Sequence, residues 1–202
     1  MSVTIIDYGM GNLRSVQKAF ERVNIPVVIT SDPEKVLKAE RVVLPGVGAF
    51  PACMGNLKKY RLIEPIREVV RQGKPFLGIC MGFQVLFDTG EEFGNHRGLG
   101  ILRGKVVRLK LAKKFKIPHM GWNRIEKTKP IPLLSEMKDQ SFFYFVHSYH
   151  VIPEDERIIA TTTEYGKNFV SSVAKDNIFA CQFHPEKSQK IGLELLRTFG
   201  NL

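Results

Sequence analysis

The strongest indication of the fold is the stretch Lys74-Pro75-Phe76-Leu77-Gly78-Ile79-Cys80-Met81-Gly82-Phe83-Gln84, because it joins an apolar strand directly to a helix. Pro75 to Ile79 is short and apolar, which predicts a buried strand, and the apolar spacing after it predicts a helix. A nucleophile at such a turn has a strained backbone and an exposed side chain. Gly78 and Gly82 occupy the two positions, two before and two after Cys80, where only small residues fit. The stretch therefore predicts that Cys80 is a nucleophile.

The other two cysteines, Cys53 and Cys181, are predicted to be buried structural residues. A free cysteine is by default a small buried hydrophobic residue, and Cys53 and Cys181 have no flanking motif that suggests more. Cys80 differs because the free N–H groups at the start of a helix favour a thiolate. The chain has three widely spaced cysteines, so we expect no disulfide framework and a reducing compartment.

A second segment supplies a base and a carboxylate. The run Ile178–Phe183 reads as a strand, and His184 and Glu186 follow it. Successive strand residues face opposite sides, so His184 and Glu186 share one side if the extended conformation continues. Glu186 can then orient the imidazole while His184 accepts the thiol proton.

Two other interpretations of the His184–Glu186 pair stay open at this point. One is a surface salt bridge. The other is a zinc pair, which needs further ligands, and His147 and His150 would serve only in a geometry that the sequence does not indicate. We expect no metal and no cofactor.

The two segments resemble the class I glutamine amidotransferases, with Cys80, His184 and Glu186 at the positions of that family's triad, and the resemblance covers essentially the whole chain. Further segments are similar to those of the glutaminase subunits of imidazole glycerol phosphate synthase within that family. They are Asp7-Tyr8-Gly9-Met10-Gly11-Asn12-Leu13, Leu44-Pro45-Gly46-Val47-Gly48, Pro118-His119-Met120-Gly121-Trp122-Asn123, Tyr144-Phe145-Val146-His147-Ser148-Tyr149 and His184-Pro185-Glu186-Lys187-Ser188.

The resemblance implies hydrolysis of the glutamine side-chain amide through a glutamyl thioester on Cys80. It implies an oxyanion hole made by the backbone N–H groups of Val47 and Met81, with flanking glycines that let the Val47 peptide rotate. Matching positions for substrate binding are Gly46, Gly48, Gln84, Glu92, Ser148 and Tyr149. Gln84 lies one helical turn after Cys80 and can face the same pocket. The alternative to a substrate-binding role is a plain surface charge for Glu92 and a strand-end residue for Ser148.

The resemblance also implies a partner. The family members concerned form a heterodimer with a (β/α)₈ cyclase subunit, which receives the ammonia, and they are nearly silent until that partner binds its ligand. Candidate interface residues are Asn12, Trp122, Tyr144 and Lys187. For Trp122, core packing is the alternative. Three other functions stay open: an amidotransferase subunit for another acceptor, a stand-alone cysteine hydrolase, and a non-catalytic binding module.

The order of predicted elements gives the fold class. Strand-like and helix-like segments alternate in the first half, which predicts an α/β fold with a mostly parallel central sheet flanked by helices. One helix is predicted to run from about Leu57 to Val70, and extra strands are predicted in the second half. The resemblance implies the flavodoxin-like architecture of the amidotransferases. With 202 residues and no linker, the whole chain, 1–202, is predicted to be one domain.

Charge and hydropathy narrow the function classes. The net charge is +10, with a denser basic segment at residues 105–116, but no nucleic-acid-binding motif accompanies it. We therefore expect this segment to steer docking to an acidic partner, with a solvated face as the alternative. Gly9-Met10-Gly11 is not a dinucleotide fingerprint, because position 14 is Arg14. No apolar run is long enough to span a membrane and no signal peptide is apparent, so we expect a cytoplasmic protein.

Overall fold

A twelve-stranded sheet forms the centre of the computed structural model, which describes residues 2–202, and a separate two-stranded sheet lies beside it. The first half of the chain contains β1 (Val3–Ile6), α1 (Leu13–Arg22), β2 (Val27–Thr30), α2 (Pro33–Leu37), β3 (Arg41–Gly46), α3 (Phe50–Lys59), α4 (Ile63–Arg71), β4 (Phe76–Cys80), α5 (Met81–Gln84), β5 (Phe87–Gly90) and β6 (His96–Arg97). The second half contains β7 (Leu102–Arg108), β8 (His119–Arg124), β9 (Glu126–Lys127), β10 (Phe142–His147), β11 (Tyr149–Pro153), β12 (Ile159–Glu164), β13 (Asn168–Lys175), β14 (Ile178–Cys181) and α6 (Gln189–Gly200).

Five neighbouring strands form the parallel part of the large sheet, in the order β2-β1-β3-β4-β14. Successive residues of a strand point to opposite faces, and β3 illustrates this. Val42 and Leu44 pack in one core cluster with residues of α3 and α4. Val43 packs in a second cluster with residues of α1 and α6. Helices therefore cover both faces, as the alternating pattern predicts.

The rest of the large sheet is mostly antiparallel and continues through β13, β11, β7, β5 and β6. β8 and β10 pair only with each other, antiparallel, with His119 opposite His147 and Trp122 opposite Tyr144. The apolar run at 142–147 predicts one of the extra strands of the second half, and β10 confirms it, whereas the sequence patterns did not reveal β5, β6, β8, β9 and β11.

Two of the helix predictions were wrong in extent. The single helix expected from about Leu57 to Val70 is two helices, α3 and α4, because Arg61 between them adopts a left-handed φ of 57°. The helix after Cys80 is a single turn, α5. It ends early because the carbonyl oxygen of Leu86 accepts hydrogen bonds from the backbone of Ile101 and Leu102, each 2.9 Å, which draw the chain into the sheet. Among residues 2–202, no helix has the length and apolarity that crossing a bilayer requires.

Candidate active site

Cys80 lies at the junction of β4 and α5 with φ 55° and ψ −107°, a conformation that non-glycine residues rarely adopt. The strand-to-helix turn predicted at this position is confirmed. A Cβ atom on Gly82 would lie 1.8 Å from the carbonyl oxygen of Leu44, and one on Gly78 would lie 2.9 Å from that of Gly82. Gly82 is required because the turn packs directly on the backbone of β3, and Gly78 is required because the backbone of Gly82 lies against it.

His184 and Glu186 contact each other at the end of β14. Nδ1 of His184 lies 2.7 Å from Oε1 of Glu186, and the two side chains are only 3% and 2% exposed. The surface salt bridge considered above is excluded by this burial. The expected reason for the contact was wrong, since β14 ends at Cys181 and Pro185–Lys187 forms a 3₁₀ turn, which brings the carboxylate to Nδ1 of the ring.

The turn that carries the pair is fixed by its own hydrogen bonds. The backbone N–H of His184 donates to the carbonyl oxygen of Tyr144 over 2.9 Å. The hydroxyl of Ser188 donates to the carbonyl oxygen of His184 over 2.6 Å and accepts from the backbone N–H of Tyr144 over 3.0 Å. The imidazole therefore has a defined position relative to β10.

Electrostatics favour a charged imidazole. Burial lowers the pKa of His184, but the charge and hydrogen bonding of Cys80 and Glu186 outweigh it and raise that pKa to about 10. Nε2 of His184 makes no hydrogen bond of standard geometry within residues 2–202, although Cys80 acts on it electrostatically. The arrangement suits a thiolate–imidazolium pair, with Nε2 free to exchange a proton with a bound molecule.

A cavity of about 250 Å³ opens above Cys80 and His184. Most of the residues that the sequence identified as candidates line it, and the structure brings them together from separate elements: Val47, Gly48, Met81, Gln84, Glu92, Ser148 and Tyr149. Pro118, Val146 and His147 line it too, and sequence reasoning did not assign them to the site. Their positions within the segments that also contain Trp122 and Ser148 were the only available signal.

Gly46 is the one predicted pocket residue that does not line the cavity. A Cβ atom at Gly46 would lie 2.5 Å from the Tyr8 hydroxyl and 2.7 Å from Cβ of Met81. Gly46 thus lets β3 approach the first residue of α5. Beyond it, Val47 is exposed and Gly48 has φ +95°, a backbone conformation that glycine adopts without strain.

Two pocket residues also have contacts within the protein. Nε2 of Gln84 donates to the carbonyl oxygen of Tyr149 over 3.1 Å and to Oε1 of Gln182 over 2.8 Å. Oε2 of Glu92 accepts from the backbone N–H of Phe50 over 2.8 Å, at the first residue of α3. Glu92 is therefore held in place at a helix N-terminus, and it is not a free surface charge.

Three of the four predicted interface residues lie side by side next to the His184 turn. Trp122 is 46% exposed, and its ring packs edge-on against Tyr144 with centroids 6.2 Å apart. Nζ of Lys187 lies 5.7 Å from the centroid of the Tyr144 ring. The alternative of core packing for Trp122 is thus wrong. Asn12 is on a different segment, exposed at the N-cap of α1, where its side chain accepts from the N–H of Ser15.

His119, His147, His150 and the two other cysteines are buried and make hydrogen bonds. Both ring nitrogens of His147 have partners, since Nδ1 lies 2.8 Å from the Tyr149 carbonyl oxygen and Nε2 lies 2.9 Å from Nδ1 of His119. His147 thus has no free nitrogen for the zinc alternative. Burial raises the pKa of the Cys53 and Cys181 thiols, which fits their predicted structural role.

Comparison with known proteins gives the family. The model of the glutamine amidotransferase class-I family matches residues 4–200. The imidazole glycerol phosphate synthase subunit HisH of Syntrophotalea carbinolica is 50% identical over 99% of this chain and 100% of its own. That of Aquifex aeolicus is 54% identical over 98% and 96%.

Solved structures agree on the fold. One described as a glutamine amidotransferase superposes with a TM-score of 0.77 at 17% identity, covering 100% of each chain. PurLQS from Thermotoga maritima superposes with a TM-score of 0.74 at 17% identity, covering 99% of this chain and 97% of that one. The chain belongs to the class I glutamine amidotransferase family.

Proposed function

We propose that this chain is the glutaminase subunit of imidazole glycerol phosphate synthase, and that Cys80, His184 and Glu186 are its catalytic triad. The observation that carries the proposal is the convergence of Cys80 and the buried His184–Glu186 pair on one cavity. Relatives about half identical over nearly their full length carry that name. Together these observations favour one subfamily among the amidotransferases.

The geometry supports a two-step hydrolysis. The Cys80 sulfur attacks the side-chain amide carbon of glutamine, and a C–S bond forms. His184 holds the proton taken from the thiol and gives it to the leaving nitrogen, so the C–N bond breaks and ammonia departs. His184 then takes a proton from water, which attacks the thioester and releases glutamate and the Cys80 thiol. Glu186 holds the imidazole in one orientation and stabilises its charged form.

The negative oxygen of each tetrahedral intermediate needs hydrogen-bond donors. The backbone N–H of Met81 is one candidate, because the first N–H groups of a helix have no partner within that helix. The N–H of Val47 is the other, and both residues line the cavity. The glycines on either side of Val47 allow its peptide to rotate, which could open or complete the oxyanion hole.

Substrate recognition is assigned to the remaining pocket residues. The carboxylate of Glu92 suits the α-ammonium group of glutamine, and Gln84 with the backbone of Ser148 and Tyr149 suits the polar groups of the amino acid. Gly48 lines the cavity and contributes through its backbone, whereas Gly46 contributes indirectly, because its lack of a side chain lets β3 approach Met81.

The proposed partner is a (β/α)₈ cyclase subunit that forms a heterodimer with this chain in the cytoplasm and receives the ammonia. The exposed cluster of Trp122, Tyr144 and Lys187 supports docking beside the active site, and we add Asn12 on its loop to that surface. A partner that covers this surface would keep the released ammonia from water. Three free cysteines in the described chain fit a reducing compartment.

The test is glutamate release from glutamine, measured with the chain alone, with the cyclase subunit, and with the cyclase subunit bound to its nucleotide ligand. Cys80→Ser serves as the blank. The proposal expects glutamate release that is low for the chain alone and rises strongly only with the liganded partner.

The alternatives give other results. Equal activity without a partner would indicate a stand-alone cysteine hydrolase. Glutaminase activity that responds to a different partner would indicate a subunit for another acceptor. No activity in any mixture, with Cys80 unreactive, would indicate a binding module.

A further inference from the structure

Gln182 contacts the sulfur of Cys80, although the triad does not include it. Its Nε2 lies 3.7 Å from Sγ of Cys80, within the range of an N–H···S hydrogen bond, and the residue is fully buried. Oε1 of Gln182 accepts from Nε2 of Gln84 over 2.8 Å. Because Oε1 is held by that bond, the donor end of the amide must face the sulfur.

Gln84 is oriented in turn by the carbonyl oxygen of Tyr149. That oxygen accepts from Nε2 of Gln84 over 3.1 Å and from Nδ1 of His147 over 2.8 Å. Both lone pairs of the carbonyl are thus occupied. The bond from His147 also fixes its tautomer, because a ring nitrogen that faces a carbonyl oxygen must carry the proton. Nε2 of neutral His147 is then an acceptor.

The same reasoning extends to β8. Nδ2 of Asn123 donates to the carbonyl oxygen of Glu164 over 2.9 Å and to Nε2 of His119 over 3.1 Å. Nε2 of His119 is therefore an acceptor, and its Nδ1 carries the proton that is donated to Nε2 of His147 over 2.9 Å. Burial lowers the pKa of His119 to about 4 and that of His147 to about 3, so both rings are neutral near pH 7.

These hydrogen bonds form one continuous set, which we name the buried relay, and the Tyr149 carbonyl oxygen joins its two halves because it accepts from both sides. Its members are Asn123, His119, His147, the Tyr149 carbonyl, Gln84 and Gln182. The buried relay begins at Asn123 on β8 and ends at the Cys80 sulfur. The exposed Trp122 precedes Asn123 on the same strand, and its side chain points to the opposite face. The contact between His119 and His147 follows from strand pairing, since the two residues are directly opposite in the β8–β10 ladder.

We propose that Gln182 is a further catalytic residue, whose amide N–H stabilises and orients the Cys80 thiolate, and that the buried relay holds this amide in its donating orientation. His119 and His147 are positioning residues, since they act on the sulfur only through Gln84 and Gln182. A displacement of β8 thereby reaches the nucleophile. The inference rests on the proposed function, because that function makes Cys80 the nucleophile. The contact between Gln182 and Cys80 is observed independently of that function.

The test is the rate at which iodoacetamide alkylates Cys80 as a function of pH, which reports the thiolate directly and needs no glutaminase activity. Gln182→Met keeps the length of the side chain but removes its donor. A hydrogen bond to a charged group is typically worth about tenfold in an equilibrium, so we expect the titration midpoint of alkylation to move upward by about one pH unit and the rate to be about tenfold lower at pH values below both midpoints. Glutamate release should fall mainly through kcat.

Ser171→Ala is the matched control. Ser171 is fully buried on the neighbouring strand β13, where its hydroxyl lies 2.8 Å from that of Thr161, and that hydroxyl does not belong to the buried relay. This variant should alkylate like the unmodified protein. If Gln182→Met also did so while remaining folded by urea unfolding, the role of Gln182 would be overturned.

His119 tests the rest of the relay. His119→Leu removes the donor to His147 and should slow alkylation, whereas His119→Asn restores a donor near the position of Nδ1 and should recover part of the rate. Equal rates in both variants and the unmodified protein would overturn the relay beyond Gln84. A normal response to these variants in a chain that never releases glutamate would instead count against the proposed function.

Discussion

Nδ1 of His184 lies 2.7 Å from Oε1 of Glu186, and both side chains are almost completely buried. The second carboxylate oxygen, Oε2, is buried without a hydrogen-bond partner within residues 2–202. A buried carboxylate with a single partner depends strongly on the charge of that partner. Glu186 and the imidazolium form of His184 therefore stabilise each other.

Glu186→Gln should change how stability depends on pH. The pKa of His184 is raised to about 10 in the folded protein, so its contribution to stability is complete below about pH 6.5 and is lost as pH rises toward 10. Without the Glu186 carboxylate, the pKa of His184 in the folded protein is lower, so its contribution to stability is smaller and is lost over a narrower pH range. We expect the unmodified protein to be more stable than Glu186→Gln, and this advantage to shrink between pH 6.5 and 10. The total change should be about 1.4 kcal/mol for each unit by which the substitution lowers the folded-state pKa of His184. Urea unfolding across this range measures it.

Glu194→Gln on α6 is the control, since it also removes one carboxylate but its residue has no part in the triad. Its stability relative to the unmodified protein should not depend on pH over the same range. A constant difference for Glu186→Gln as well would mean that Glu186 does not raise the pKa of His184.

Gly82→Ala should destabilise the fold by about 3 kcal/mol or more, because the new methyl group would lie 1.8 Å from the carbonyl oxygen of Leu44 and the backbone would have to move. Gly55→Ala in α3 is the matched comparison. A Cβ atom there meets nothing within 4 Å, so the better helix propensity of alanine should stabilise the protein by about 0.5–1 kcal/mol. Urea unfolding of both variants would refute the close-packed turn if their effects were similar.

Trp122→Ala should weaken binding of the cyclase subunit by about 2 kcal/mol, roughly 30-fold, because exposed tryptophans at the centre of an interface are typical hot spots. Val28→Ala is a suitable control, since Val28 is 45% exposed, close to the 46% of Trp122, and lies on β2, the edge strand of the large sheet, to which the strand of Trp122 does not belong. Titration calorimetry compares the two. Equal affinities would remove Trp122 from the interface.

The basic segment at residues 105–116 should increase the rate of partner association at low salt. Its six lysines and arginines are Lys105, Arg108, Lys110, Lys113, Lys114 and Lys116. Replacing Lys113 and Lys114 by glutamine should lower the association rate constant at low ionic strength and flatten its dependence on salt. Stopped-flow mixing measures both. An association rate that barely changes with salt in the unmodified protein would contradict steering.

Local patterns were sufficient to select Cys80, His184 and Glu186, the residues of the proposed triad. The glycines around Cys80 and the spacing of His184 and Glu186 predict a nucleophile, a base and a carboxylate, because those features depend on a few adjacent residues. The approach of Cys80 to His184 follows from the pairing of β4 with β14, in which Ile79 lies opposite Cys181. An alternating α/β pattern favours parallel pairing of neighbouring strands, and the pairing of β4 with β14 is of this kind.

Contacts between distant segments could not be predicted in this way. β8 is not an alternating apolar strand, and its pairing with β10 places His119 opposite His147 only in three dimensions. Gln182 reads as an ordinary strand residue before Phe183, and its contact with Cys80 depends on how its amide is held by Gln84. Tertiary hydrogen bonding of this kind leaves no periodic signal in the sequence.

The most direct test of the account is to trap the glutamyl thioester. The complex with the liganded cyclase subunit would be mixed with glutamine, quenched in acid within one turnover and analysed by peptide mass spectrometry. The account predicts one glutamyl group on the peptide that contains Cys80, and none in Cys80→Ser or on the peptides that contain Cys53 and Cys181. Glutamate formation by Cys80→Ser, or turnover in the unmodified protein with no adduct at Cys80, would contradict the assignment of Cys80 as the nucleophile.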